Sequence, residues 1–128
     1  KKKLIKNIIL PVSAPFHCEL MSKATEVMKK EINNLNFQSC DKVLVSNVTA
    51  KKMTEISNIK DLLIKQIESR VRWRESVKYM IEGGTDEFIE IGPGKVLSGL
   101  IKRINKKLKV SAINNEEDIS ILKNKNEF

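Results

Sequence analysis

The 128-residue chain has few cysteines, few aromatic residues and no long apolar run. Its two cysteines, Cys18 and Cys40, make no disulfide framework and lack metal-ligand spacing, so a reducing cytoplasm is the expected location. No apolar stretch approaches the roughly 20 residues of a membrane span, so no membrane partner is expected. The opening KKKLIKNIIL imitates a signal peptide, but Lys6 and Asn7 interrupt its apolar part, and we expect no secretory signal.

The formal net charge is +8, and aromatic residues are absent from the two segments that carry most of it. Lys1–Lys3 supply three positive charges and Lys102–Lys109 supply five more without an acid, so the rest of the chain is neutral. Neither segment has an aromatic side chain on which bases would stack. The pattern therefore favours an acidic protein as partner and no nucleic acid. Two alternatives stay open, a solvated helix face and charge-driven binding of nucleic acid.

Apolar periodicity along the chain predicts alternating strands and helices. Strands are expected at 4–10, 43–48 and 87–91, and near 110–113. Helices are expected at about 19–35, from an N-cap at Ser57 to about Ser69, around 73–81, after the Gly92-Pro93-Gly94 turn, and near 116–124. The apolar face of the helix after that turn extends to Leu108. Such alternation predicts an α/β fold with a mostly parallel sheet.

His17 is the only histidine, and it lies between a proline-containing turn and the start of a helix. Loops often present functional groups, and the positive end of the following helix favours a neutral imidazole. A neutral imidazole is what a general base needs. The alternative is an ordinary exposed loop histidine. Cys18 beside it is expected to be a small buried residue rather than a nucleophile.

Gln66 is a second candidate, because it falls inside the apolar stripe of the helix predicted from Ser57. A buried amide needs hydrogen-bond partners. A site role and a structural tie to nearby backbone both remain open.

Gly92-Pro93-Gly94-Lys95 matches a phosphate-binding loop only in part, because Val96 stands where that motif requires Ser or Thr. We interpret it as a rigid strand-to-helix turn, although the helix start behind it is able to attract an anion. The sequence contains no G-x-S-x-G nucleophile elbow. One histidine without a nucleophile cannot complete a hydrolase-type relay alone. Since residue 1 is Lys and not Met, we also expect a processed, trimmed or partial chain.

Several segments resemble the C-terminal portion of the malonyl-CoA:acyl carrier protein transacylase family, namely LPVSAPFHCELM, VSNVTA, VRWRESVKYM and EIGPGKVLSGLIKRI. They occur in the family's order and cover nearly the whole chain. The resemblance implies the C-terminal portion of an α/β-hydrolase-like acyltransferase domain with a mostly parallel sheet. It makes residues 1–10 the last strand leaving a ferredoxin-like small subdomain, and 11–128 the C-terminal part of the large subdomain.

The resemblance also implies a reaction, the transfer of a malonyl group from coenzyme A to the pantetheine thiol of acyl carrier protein in fatty acid biosynthesis. His17 matches the catalytic histidine, and Gln66 matches the position whose backbone carbonyl orients it. Phe16 matches a bulky residue associated with malonyl groups, because a large ring crowds an α-methyl substituent. Lys102 and Arg103 match basic positions proposed to meet the acidic carrier protein. No cofactor and no metal are implied.

The family's nucleophilic serine, oxyanion-site glutamine and carboxylate-pairing arginine belong to its N-terminal portion. The first hypothesis is therefore a malonyltransferase portion that is catalytic only with its N-terminal part. Its partners are malonyl-CoA, acyl carrier protein and that N-terminal part. The second hypothesis is an inactive remnant that binds acyl carrier protein without chemistry.

Overall fold

A computed structural model describes residues 13–39, 41–53 and 55–126 of the chain. These residues divide into two compact units that interleave along the sequence. The first unit holds the described residues of Lys1–Leu44 and Met53–Val71, and the second holds those of Val45–Lys52 and Arg72–Phe128. No helix in the described ranges is long and apolar enough to cross a membrane. The predicted strand at 4–10 and the predicted boundary at residue 10 lie outside the described residues.

The first unit is built mainly from two helices. A short 3-10 helix at Glu19–Met21 leads into α1 (Ser22–Asn34), which packs against α2 (Ile56–Lys65). The ammonium of Lys60 on α2 donates to the carbonyls of Asn33 at 3.1 Å and Leu35 at 2.7 Å. A cation at this end satisfies acceptors that have no partner within α1 and favourably meets its negative pole.

Two short strands, β1 (Leu44–Val45) and β2 (Lys52–Met53), lie where the chain passes between the units. The predicted buried strand over 43–48 is therefore wrong beyond Val45. The hydroxyl of Ser46 accepts hydrogen bonds from the amides of Val48 at 3.1 Å and Thr49 at 3.4 Å, and its own amide donates to the Lys51 carbonyl at 3.0 Å. A serine that satisfies nearby amides in this way stabilises a turn in place of a strand.

The limits of two predicted helices also need correction. Helix α2 begins at Ile56 with Glu55 in the N-cap position and ends at Lys65, so Ser57 is not its N-cap and the helix does not reach Ser69. The helix after the Gly-Pro-Gly turn ends at Ile104, because Asn105 is extended and its side-chain oxygen accepts from the Lys107 amide at 3.0 Å. Leu108 is buried, as its place in the apolar pattern predicts, but it lies outside the helix.

The second unit contains a parallel β-α-β arrangement. In chain order its elements are α3 (Trp73–Glu82), β3 (Glu87–Ile91), α4 (Val96–Ile104), β4 (Lys109–Ile113) and α5 (Glu116–Asn126). Strands β3 and β4 pair in parallel, from Glu87 opposite Lys109 to Ile91 opposite Ile113. The strand at 87–91 and the end of α3 at Gly83 are confirmed. The described elements therefore confirm the α/β class with a parallel strand pair.

A single apolar cluster holds this unit together. Its buried members are Val77 of α3, Ile101 of α4 and Leu108, which precedes β4. The partly buried side chains packed against them are those of Trp73, Met80, Ile81, Phe88, Ile104 and Val110. Burial of apolar side chains from α3, α4 and both strands fixes these two helices against the sheet.

Candidate active site

His17 lies in the turn before the 3-10 helix and has a backbone φ of 61°. This is the left-handed region, which is uncommon for residues with a side chain but which histidine visits more readily than most. The amide of Phe16 donates to the Ala14 carbonyl at 2.9 Å, so the turn is closed directly before the histidine. Side chains held in such backbone conformations cluster at functional sites.

The imidazole of His17 meets the carboxyl-terminal end of α2. Its Nδ1 atom lies 2.9 Å from the backbone carbonyl oxygen of Gln66. A carbonyl can only accept, so Nδ1 carries a proton and Nε2 of the neutral ring keeps its lone pair. Gln66 is the C-cap residue of α2, where backbone carbonyls have no partner within the helix. The end of α2 therefore selects the tautomer that a general base needs, without a carboxylate.

Gln66 is less buried than its place in the predicted apolar stripe suggests. Leu62 is buried, whereas Gln66 itself and its neighbours Leu63 and Ile67 are only half-buried. The atom of Gln66 that meets His17 belongs to the backbone and not to the side-chain amide. His17 and Gln66 thus lie in hydrogen-bonding contact. Their catalytic roles stay predictions.

The residues on either side of His17 differ in exposure. The Cys18 thiol donates to the carbonyl of Pro15 at 3.1 Å, so the sulfur is directed into its own turn. Cys18 is half-buried, which makes it less enclosed than expected. Phe16 is 58% exposed, and its ring offers a large apolar surface next to the histidine. Its predicted contact with the acyl group stays a prediction.

The Gly-Pro-Gly turn connects β3 to α4, and hydrogen bonds hold the turn against the end of β4. Gly92 and Gly94 have φ values of 138° and 94°, which side-chain-bearing residues rarely adopt. The Gly92 amide donates to the Ile113 carbonyl at 3.0 Å, and the Gly94 amide donates to Asn114 Oδ1 at 2.6 Å. These contacts agree with the interpretation as a rigid structural turn.

The helix start behind this turn is occupied by a carboxylate of the chain itself. Glu90 accepts hydrogen bonds from the Ser98 hydroxyl at 2.6 Å, the Ser98 amide at 2.8 Å and the Leu97 amide at 3.1 Å. These donors, with the Ser98 hydroxyl contributing most, hold the pKa of Glu90 below its ordinary value. Because Glu90 already accepts from the Leu97 and Ser98 amides, this helix start is not an open phosphate site.

Lys102 and Arg103 are both exposed on α4, but they face different surroundings. The Lys102 ammonium donates to the Leu108 carbonyl at 2.6 Å, within its own unit. Arg103 lines a cavity of about 350 Å³ together with Arg74 and Lys78 of α3. The docking role of Lys102 and Arg103 stays a prediction. Arg74 and Lys78 were missed by sequence reasoning, although their i, i+4 spacing on a predicted helix was an available signal.

Across 13–39, 41–53 and 55–126, no group of three or more His, Cys, Asp or Glu side chains could hold a metal ion.

The sequence matches no protein-family model, yet it is similar to individual proteins over most of its length. A malonyl CoA-acyl carrier protein transacylase of Bacillus subtilis is 46% identical over 116 residues, which are 91% of this chain and 37% of the relative. The corresponding transacylase of Staphylococcus aureus is 43% identical over 110 residues, or 86% of this chain and 36% of the relative. The chain is homologous to the C-terminal part of malonyl CoA-acyl carrier protein transacylases.

Solved transacylase structures agree with this relationship. The crystal structure of the malonyl CoA-acyl carrier protein transacylase from Clostridium perfringens superposes with a TM-score of 0.84 at 39% identity, covering 92% of this chain and 37% of that one. A malonyl-transacylase in complex with a type II polyketide synthase acyl-carrier protein gives a TM-score of 0.81 at 36% identity, covering 90% of this chain and 38% of that one. The chain thus spans little more than a third of the transacylases that it matches.

Proposed function

We propose that this chain supplies the general base of a malonyl transfer from coenzyme A to acyl carrier protein in fatty acid biosynthesis. The observation that carries the proposal is the 2.9 Å contact between His17 Nδ1 and the Gln66 carbonyl oxygen. The transacylase homologues and the carrier-protein complex among the similar structures support the same reaction. The nucleophilic serine would come from the remaining part of such an enzyme, which is therefore a partner together with malonyl-CoA and acyl carrier protein.

In the first half-reaction, Nε2 of His17 accepts the proton of the serine hydroxyl while the serine oxygen attacks the malonyl thioester carbonyl. The carbon–sulfur bond breaks, and the proton on Nε2 passes to the departing coenzyme A sulfur. In the second half-reaction, Nε2 accepts the proton of the pantetheine thiol, whose sulfur attacks the serine ester. The serine oxygen leaves and regains its proton from His17, so no net proton is consumed.

The Gln66 carbonyl holds the proton on Nδ1 during both half-reactions. When Nε2 is protonated, the ring becomes a cation and its Nδ1–H···O bond becomes charge-assisted, which strengthens it. A carbonyl provides this stabilisation without the desolvation cost of a second charged group. The orientation of the ring therefore depends on the backbone at the end of α2, and Gln66 acts as a positioning residue.

The proposal also includes the choice of acyl group, the location of the protein and its subdomain organisation. The ring of Phe16 next to His17 would crowd an α-methyl group and so favour malonyl over branched acyl groups. A cytoplasmic location suits this acyl transfer, because the pantetheine thiol and the released coenzyme A thiol must stay reduced. In this arrangement residues 1–10 leave a ferredoxin-like small subdomain, and 11–128 complete the large subdomain.

The test combines this chain with a separately produced N-terminal part of the Bacillus subtilis homologue, and radiolabelled malonyl transfer to holo-acyl carrier protein is measured. His17→Ala is expected to lower the rate by about 10² to 10⁴-fold, the usual contribution of a general base. Ser13→Ala, an exposed change before the same turn, should retain the native rate.

Two results would contradict this function. One is an absence of transfer from a folded mixture, and the other is a His17→Ala variant that keeps the native rate. A mixture that binds carrier protein but transfers no malonyl would favour the inactive remnant instead.

A further inference from the structure

Two side chains connect the helices of the first unit, and each of them meets the carboxyl-terminal end of the other helix. His17, which precedes α1, lies 2.9 Å from the Gln66 carbonyl at the end of α2. Lys60 of α2 donates to the Asn33 carbonyl at 3.1 Å and to the Leu35 carbonyl at 2.7 Å, at the end of α1. The two contacts are therefore reciprocal, and they connect the helices at separate points.

The ammonium of Lys60 acts through its charge as well as through its hydrogen atoms. It lies 5.3 Å from the centroid of the Phe37 ring, a distance at which a cation is attracted to the ring face. The Asn33 and Leu35 carbonyls lie at the end of α1, where carbonyls have no partner within the helix and the helix dipole is negative. Three contacts from one half-buried side chain thus fix the end of α1 to α2.

Apolar packing gives this helix pair little further support. Each helix has one buried residue, Ile32 in α1 and Leu62 in α2. Gln66 follows Lys60 by six positions, which is about 9 Å along α2. Because so short a helical segment moves as a rigid element, a shift of α2 along α1 carries the Gln66 carbonyl away from His17.

We propose that Lys60 is a positioning residue for the general base, acting through α2 on the ring of His17. The contact at the end of α1 fixes α2, and the fixed α2 presents its Gln66 carbonyl to Nδ1. A hydrogen bond weakens steeply as it bends, so a small displacement of α2 releases Nδ1. The ring is then free to carry its proton on Nε2, which removes the lone pair of the base. The inference rests on the proposed function, because its effect on the rate requires His17 to be the base.

The single histidine of the chain allows a direct test, because a histidine label reports on the His17 ring alone. The chain is produced with isotope-labelled histidine and mixed with the unlabelled N-terminal part of the Bacillus subtilis homologue. The nitrogen shifts of the ring at neutral pH distinguish a proton on Nδ1 from one on Nε2. Lys60→Met should move part of the proton from Nδ1 to Nε2. In the transfer assay it should lower kcat between about 10-fold and 100-fold, the effect of a small misplacement, and leave the KM for malonyl-CoA unchanged.

Three companion variants sharpen the test. Lys60→Arg keeps the positive charge and donors for both carbonyls, so it should restore the native proton position and a kcat within about threefold of native. Phe37→Leu removes only the ring beside the ammonium and should move both readouts in the same direction by less. Lys30→Met makes the same change of side chain on the exposed surface of α1 and should leave both readouts native.

The outcomes separate the positioning role from the proposed function. A proton moved to Nε2 with a lower kcat, both reversed by Lys60→Arg, supports the role of Lys60. A native proton position in Lys60→Met would overturn it whatever the rate, since any loss would then not act through His17. If Lys60→Met did not fold, native readouts in Phe37→Leu would overturn it as well.

Two further results concern net charge and catalysis. Equal effects of Lys30→Met and Lys60→Met would assign the result to net charge and overturn the positioning role. If Lys60→Met moved the proton while His17→Ala kept the native transfer rate, the positioning of the ring would stand and the proposed function would fail.

Discussion

The two units of the described chain are stabilised in different ways. In the second unit an apolar cluster joins α3 and α4 to the sheet, and the exposed fractions of Val77, Ile101 and Leu108 are 0%, 3% and 6%. In the first unit the helices leave much of their apolar surface open. The exposed fractions of Leu20, Val27 and Leu35 are 77%, 61% and 56%. Among the described residues, the buried apolar cluster lies in the second unit, although Ile91 and Val96 of that unit are also exposed, at 81% and 71%.

The candidate catalytic histidine belongs to the first unit. His17 is exposed, and the contact that orients its ring is a hydrogen bond to the open end of α2. The Lys60 ammonium similarly meets carbonyls at the end of α1. Polar contacts at helix ends therefore hold His17 and Lys60 in the first unit, while apolar packing maintains the parallel β-α-β scaffold of the second. Binding and catalytic residues are often carried by loops that a rigid scaffold positions.

The largest effect on stability is expected from removing part of the second unit's core. Ile101→Ala should lower the free energy of unfolding by about 3 kcal/mol, because it deletes buried methyl groups and leaves a cavity. Val27→Ala, at an exposed position of α1, should change it by less than about 0.5 kcal/mol. Urea unfolding followed by Trp73 fluorescence measures both changes. Equal losses from the two substitutions would remove the distinction between the units.

A smaller effect is expected at the start of α4 and should depend on pH. The pKa of Glu90 is lowered from its ordinary 4.5, so its carboxylate stabilises the folded state above that pH. This contribution is lost as the pH falls through the lower folded-state value. Glu90→Gln should therefore be less stable at neutral pH and should lose part of the native acid sensitivity.

Thermal unfolding across the acidic range measures this dependence on pH. The matched control is Glu82→Gln, an exposed change at the end of α3 that should keep the native pH profile. If Glu90→Gln kept the native profile as well, the carboxylate would not be the group that stabilises the start of α4.

The smallest effect is expected from Gln66→Ala in the reconstituted transfer assay. The backbone carbonyl that meets His17 survives this substitution, so the rate should fall by no more than about threefold, far less than the loss from removing a general base. The pH profile of the rate should also stay unchanged. A loss as large as that of His17→Ala would mean that the side-chain amide, and not the carbonyl, carries the role.

Local patterns predicted some elements well. The strand at Glu87–Ile91 and the two glycines after Glu82 are short-range features, and both correspond to the structure. The strand expected over 43–48 was wrong beyond Val45 because Ser46 accepts hydrogen bonds from the amides that follow it, which an apolar pattern does not reveal. The start of α4 was interpreted as able to attract an anion. That interpretation missed the carboxylate of Glu90, which comes from the preceding strand and already accepts from the amides there.

The sequence by itself determined the α/β class, the single histidine available as a base and the location of the excess positive charge. These depend on residue type and on spacing within one element. Tertiary structure decided that His17 meets the carbonyl of Gln66, which lies 49 residues away along the chain. It also decided that Arg103 shares a cavity with Arg74 and Lys78. Such contacts depend on the path of the chain between elements, because hydrogen bonds and charge clusters form wherever folding brings their partners together.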